Sequence, residues 1–570
     1  MKFLVVLWVA FASALSFSLD REAFTFTKYD LDVRIEPEQQ RLSVRGSLTL
    51  RNDSKNPLTN AALQISSSLT WRSIQVDGKP LQFVSQPYTS DIDHTGELSE
   101  AIVSLPTEVG PGNSVELTIG YEGTITLDAT RLTRIGMPKE SAIHTDWDQI
   151  SRLSSAVRGA GNVVWYPVAM DAANLSDEGS LFEIVGRWKV RESNAAMHIR
   201  MSYSPMSEGR PPELICNAEG NRMFEPVGVQ KVFAECDYSP LGFQAPSFVM
   251  AEYAFLEAPQ VQIFYREEHK DRAEKFAHAA AAVAPFVSEW VGPGRHKALI
   301  AELFDPGASP YESGLMLLTP LGDTDPKLVQ IAMVHELTHA AFSSDRPWIS
   351  EGLAHFMQAA DREQQQNREA ALDFLGLHRA AVMDAEKATA SKLKEGAPPE
   401  QPLIATAIDA FYRSKAAYVW WMLRDMLGDE TLKKALAAYR SDQDKDPAYL
   451  EHVLQAQSRR DLQWFFDDWV YHDRGLPDFR VESAFPRRAS QDNYLVTVTV
   501  ENLGGAGAEV PIKVQFDGGE MTQRLEVRSK SKGTVRLATP KPPQQIVVND
   551  GSVPESDMSN NTFKVAAAAP

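Results

Sequence analysis

The sequence predicts a multidomain α+β protein in which a β region, a mainly α region and a second β region follow one another. Three observations carry this. From about Ala23 to Pro259 apolar residues alternate at period two, from Asp271 they recur at helical spacing, and after Arg474-Gly475-Leu476-Pro477 the period of two returns. A chain of 570 residues exceeds what a single core can organise. Its 43% hydrophobic and 23% charged residues exclude disorder, collagen and a coiled coil as descriptions of the whole. The formal charge is −19 and no basic run is concentrated anywhere, so phosphate would be repelled and no nucleic-acid partner is expected.

Residues 1–16 read as an export signal: Lys2, the apolar run Phe3 to Phe11, then Ala12-Ser13-Ala14 as a small-x-small cleavage pattern. The run is shorter than the ~18 residues a span needs, and no other stretch supplies them, so no transmembrane segment is expected. The chain is therefore expected to be exported, periplasmic or extracellular. Residues 17–259 read as a β domain, a saddle or sandwich. Tyr29, Leu31, Val33 and Ile35 share one face of a strand, and Leu42, Val44, Leu48 and Leu50 share one face of the next, with a bulge expected at Gly46. Asp77-Gly78 and Gly110-Pro111-Gly112 mark turns. Cys216 and Cys236, both beside β-like stretches, are expected to form a disulfide across neighbouring strands; two buried thiols are the alternative.

Residues 260–476 carry helical spacing over Asp271 to Ala284, Lys327 to Ser343, Asp361 to Lys394 and Lys415 to Ser441. A strand pair, Lys297 to Phe304 and Gly314 to Thr319, interrupts them early. Residues 477–565 read as a β-sandwich, with Tyr494, Val496, Val498 and Val500 alternating and Val510 to Phe516 alternating again. Residues 566–570 read as an unfolded tail.

The chemistry is concentrated on one helix. His335-Glu336-Leu337-Thr338-His339 contains H-E-x-x-H, and four residues of helix turn about 400°, so the two imidazoles project side by side and can grip one ion. Glu336 can then reach a water at that ion. The third ligand is not a metzincin histidine, because Phe342 and Asp345 stand where that class needs Gly and His. A Glu on the following helix serves instead. Eleven residues separate His339 from Glu351, enough for the helix to end, reverse through Ser344 to Arg346 and restart at Pro347. Two His and one Glu leave a fourth position open, the pattern of a catalytic zinc, one per chain. His355, one turn beyond Glu351, is expected on the helix surface.

His335-Glu336-Leu337-Thr338-His339 followed by Trp348-Ile349-Ser350-Glu351-Gly352-Leu353-Ala354 resembles the membrane alanyl aminopeptidase family of gluzincin zinc metallopeptidases. Tyr29 to Leu50, Trp165-Tyr166-Pro167 with Asp171, Pro246 to Ala251 and Trp464 to Pro477 are similar to other parts of it. The resemblance implies a saddle-like β domain, a thermolysin-like catalytic domain over 260–476 and a C-terminal β-sandwich. It also implies a zinc peptidase acting on peptide substrates as an aminopeptidase, with Glu336 as general base. Where the family signature carries the Glu that binds the substrate amine, Gly314-Leu315-Met316-Leu317-Leu318 keeps the Gly and offers Leu317. The nearest carboxylate is Glu312, either an amine-binding group at the site mouth beside Gly314 or a solvated loop residue. The family's Tyr-x-Lys-Gly reads here Tyr412-Arg413-Ser414-Lys415-Ala416, with one extra residue. Tyr412 is the expected oxyanion donor, strict spacing would name Arg413, and Tyr418 is expected in the core. Two other readings stay open: an endopeptidase or small-amide hydrolase without amine recognition, and a non-catalytic binding protein with a vestigial metal site.

Overall fold

The computed structural model describes residues 19–177, 180–203, 212–218, 222–224, 232–394, 402–490 and 493–565. The expected export signal and the tail at 566–570 lie outside the described residues. Strands Phe24–Glu36 and Arg41–Asn52 pair antiparallel inside an eight-stranded sheet, with Leu31 opposite Gly46 and Val33 opposite Val44. The apolar faces expected on both strands are buried. Gly46 is not a bulge. The register shift falls between Phe26 and Lys28, and Gly46 sits in regular register, where a Cβ would collide with the Asp30 carbonyl oxygen. A three-stranded sheet, Leu58–Ser66, Glu97–Val109 and Phe83–Thr89, shares the same core.

Cys216 and Cys236 are disulfide-bonded, but not across one ladder. Cys216 ends strand Glu213–Cys216 of a separate three-stranded sheet, whereas Cys236 lies in Val232–Tyr238 of the eight-stranded sheet, so the bond ties two sheets together. The β region also holds a helix that period two does not announce, Ser180–Glu192. Its Leu181, Ile184, Val185 and Trp188 follow i, i+3, i+4, i+7, and Trp188 is fully buried.

The strands expected as a pair are parallel neighbours, Ala298–Glu302 and Met316–Thr319, in a five-stranded sheet completed by Ala254–Glu257, Val261–Tyr265 and Tyr311–Ser313. The hairpin Ala254–Glu257/Val261–Tyr265 straddles the expected junction at 259/260. Helix Lys270–Val291 runs through Pro285 instead of ending at Ala284. Phe286, Val287 and Trp290 are buried beyond the proline, and that packing holds the last turns against the lost hydrogen bond. The long segments expected at 361–394 and 415–441 are each broken. The first belongs to two helices, Pro347–Gln365 and Arg368–Lys394, and the second to Ala416–Leu427 and Asp429–Ala438, separated at Gly428. After 477, the sheet Phe479–Ser490, Asn493–Asn502, Lys532–Thr539 faces a four-stranded sheet over Val496, Val498, Val500, Val510, Ile512 and Val514. Among the described residues no helix is long and apolar enough to cross a membrane.

Candidate metal centre

Helix Pro326–Ala341 starts at an Asp325 cap, whose side chain accepts from the Lys327 amide, with Pro326 in the first turn. It presents His335 and His339 on one face, with their Nε2 atoms 3.2 Å apart. The chain reverses, and helix Pro347–Gln365 opens on another N-terminal proline. One turn in, Glu351 brings Oε1 to 3.6 Å from His339 Nε2. The ligand atoms of His335, His339 and Glu351 all lie within 4.8 Å of one another. Nitrogens bound to one tetrahedral zinc at ~2.0–2.1 Å sit roughly 3.3 Å apart, so the donor set and its spacing fit that ion. Ser350 Oγ, 3.3 Å from His339 Nδ1, orients the second imidazole, whereas among the described residues His335 Nδ1 is buried without a hydrogen-bond partner.

Burial lowers His335 to about 3, with His339 adding to the effect, so this imidazole is neutral, as a ligand must be. Burial pushes Glu351 up, but Arg413 and the neighbouring histidines outweigh it and hold the carboxylate well below the usual range. Arg413 Nε lies 3.2 Å from Glu351 Oε2 and 3.2 Å from Asp409 Oδ1. Glu336 is 1% exposed, and among the described residues its Oε2 has no hydrogen-bond partner. Burial raises it well above the usual carboxylate range, and Glu312 and Glu351 push the same way. A carboxylate that holds a proton this readily suits proton transfer.

The other sequence candidates converge on the same place. Glu312, about a third exposed, carries Oε2 to 3.3 Å from His335 Nε2, deeper than a site mouth. Gly314 turns the hairpin behind it with a φ of 63°. Tyr412 and Arg413 both line the narrow cavity that contains His335, His339 and Glu351. The residue counted as extra is absorbed where Ala410–Lys415 winds as a π-helix, a wide turn frequent at functional sites. Tyr418 is in the core, its hydroxyl donating to the Leu375 carbonyl at 2.8 Å. His355 is not a surface residue. Its ring centroid is 4.9 Å from that of His335 and 4.9 Å from that of His378, so it lies half-buried between the helices before and after its own. A cleft of about 500 Å³ leads away past Glu312, Tyr412 and Arg413 towards Leu175 and Phe182.

Sequence reasoning missed Lys189 and Phe243, which reach the same cavity from the N-terminal region. The i, i+3, i+4, i+7 pattern around Trp188 was the available signal for the helix, but nothing local assigns Lys189 to a site.

No family model matches the chain, and no curated protein matches it. Among solved structures the chain is similar to a mutant M1 zinc metallopeptidase from Deinococcus radiodurans, with 16% identity, 81% of this chain and 97% of that one covered, and a TM-score of 0.46. A structure of an M1 zinc metallopeptidase mutant from the same organism bound to a Tyr-Ser-Ala substrate gives 15% identity, coverage of 81% and 97%, and a TM-score of 0.47. A two-domain M1 zinc metallopeptidase mutant bound to L-arginine gives 16% identity, coverage of 76% and 91%, and a TM-score of 0.43.

Proposed function

We propose that the chain is a zinc-dependent peptidase that removes N-terminal residues from peptides. One observation carries the reading: His335, His339 and Glu351 gather their donor atoms around a single point, and the cavity they line shares Lys189, Glu312, Tyr412 and Arg413 with a cleft of about 500 Å³. Residues 260–476 then serve as the thermolysin-like catalytic unit. The Cys216–Cys236 bond favours an exported protein working in an oxidising compartment.

Zinc, when bound by His335, His339 and Glu351, supplies a Lewis acid that polarises a carbonyl and acidifies water. Glu336 takes a proton from the attacking water and returns it to the leaving amine. Tyr412, packed edge-on against Phe243 with ring centroids 5.0 Å apart, is held in place to donate its hydroxyl to the oxygen that gains charge. Arg413 is engaged by two carboxylates, Glu351 and Asp409, and Tyr412 by Asp409 alone, which favours Tyr412 for that role. Glu312 attracts the substrate's ammonium and so places the first peptide bond at the metal. Metal analysis of the purified chain, combined with a panel of free and N-acetylated peptides, tests the whole reading. Cleavage of neither set by a zinc-loaded protein would refute it, and equal cleavage of both would replace it by an endopeptidase.

A further inference from the structure

Among the described residues, helix Ser180–Glu192 is the one element of the N-terminal region that pushes a charged side chain into the cavity lined by His335, His339 and Glu351. Its Ile184, Val185 and Trp188 are buried, and Gly186 is packed so closely that a Cβ there would strike the Ala407 carbonyl oxygen. The helix is thus seated directly on the segment that leads into Asp409 and Arg413. Lys189, one turn after Gly186, extends past Phe243, with Nζ 5.3 Å from the ring centroid. It lines the cavity together with His335, Glu351 and Tyr412.

The charges in that cavity do not all cancel. Arg413 is matched by Glu351 and Asp409, each 3.2 Å away. Among the described residues Lys189 has no hydrogen bond and no ion pair. Burial, with Arg413 nearby, pulls its ammonium down to about 8, which still leaves it mostly protonated at neutral pH. Glu312, with Oε2 3.3 Å from His335 Nε2, and Lys189 line one cavity without pairing with each other. Lys189 is half-buried, and the carboxylates that act on it, Glu351 and Asp409, are already engaged by Arg413, so a ligand carboxylate would stabilise its charge.

We propose that Lys189 forms a carboxylate-binding subsite, so that the preferred substrates carry a free ammonium for Glu312 and a carboxylate for Lys189. This inference rests on the peptidase reading. The carboxylate has two possible sources, the side chain of an N-terminal Asp or Glu and the C-terminal group of a very short peptide.

The test compares kcat/KM for matched peptides on the zinc-loaded full chain: Glu-Ala-Ala-amide against Gln-Ala-Ala-amide, and Ala-Ala against Ala-Ala-amide. A charge-assisted contact should favour the acid by about tenfold or more, mainly through KM. The first pair responds if the side chain is the ligand and the second if the C-terminus is. Lys189→Met should bring the responding ratio close to one, Lys189→Arg should retain part of it, and Lys189→Glu should turn the preference towards peptides beginning with Lys. A structural role would not move these ratios. Cleavage of the neutral peptides with no preference for acid in either pair overturns the inference and leaves the peptidase reading standing, and this comparison needs no variant. A preference that survives intact in Lys189→Met also overturns it. If no peptide is cleaved, both readings fall.

Discussion

Glu312 lies directly opposite Leu317 across the hairpin formed by strands Tyr311–Ser313 and Met316–Thr319. Side chains opposite one another on antiparallel strands project to the same face. Glu312 therefore projects to the same side of the sheet as position 317, where the family resemblance would place a carboxylate. Leu317 is 3% exposed and joins the core beneath the helices, while Glu312 reaches His335. The neighbouring Ser313 is held by Asn217, whose Nδ2 donates to its Oγ at 2.8 Å.

If Glu312 binds the substrate amine, Glu312→Gln should raise KM for free peptides by about tenfold. It should also narrow the gap between free and N-acetylated substrates while leaving the zinc content unchanged. Wild-type protein that hydrolyses both sets at equal rates would remove the amine role.

The metal prediction is about one zinc per chain. Chelation should abolish activity, and His335→Ala, His339→Ala or Glu351→Ala should each lower occupancy sharply. Elemental analysis after dialysis reads this directly. Full occupancy in Glu351→Ala would move the third ligand elsewhere.

Glu336→Gln should keep zinc and lose activity. It preserves shape and removes the proton acceptor, so kcat should fall by about 100-fold or more. Near-normal turnover in a zinc-replete variant would take Glu336 out of the mechanism.

Tyr412 and Arg413 are separated by what each variant damages. Tyr412→Phe should lower kcat by about 10- to 1000-fold with zinc retained. Arg413→Met should weaken zinc binding, because the guanidinium holds Glu351 ionised and positioned. The opposite pattern would exchange the two roles.

One prediction concerns stability. Burial raises Glu192 from 4.5 to about 7, and its neighbours Arg191 and Tyr29 lie 3.3 Å and 3.4 Å away. The folded chain then keeps a proton that the unfolded chain has already lost between these values, so stability falls as pH rises through that window. Glu192→Gln should abolish this component and be more stable than wild type near pH 8 by about 1–3 kcal/mol, with little difference near pH 4. Parallel melting curves across pH would show it.

The grouping of His335, His339 and Glu351 was legible in the sequence because its determinants are local: a four-residue helical spacing and a proline that restarts the next helix fix where the three side chains point. The alternating strands were legible for the same reason. What escaped depends on partners distant in the chain. His355 reads as a surface residue until His378 and His335 are packed around it. Lys189 has no local mark at all, and Gly46 looks like an irregularity until the Asp30 carbonyl is placed against it. Pro285 signals a helix end, yet the burial of Trp290 carries the helix onward.

The wide turn at Ala410–Lys415 has a consequence for how this wall of the cavity can change. Adding one residue to an α-helix rotates everything after it by about 100°, which would swing Trp420 and Trp421 out of the interior. Both are fully buried, so the added length is spent within six residues and the helix beyond keeps its phase. Insertions and deletions here can exchange the side chain offered to the cavity without repacking what lies underneath. Removing Ser414 should restore an ordinary helix and turn a different residue into the cavity while the tryptophans stay in place.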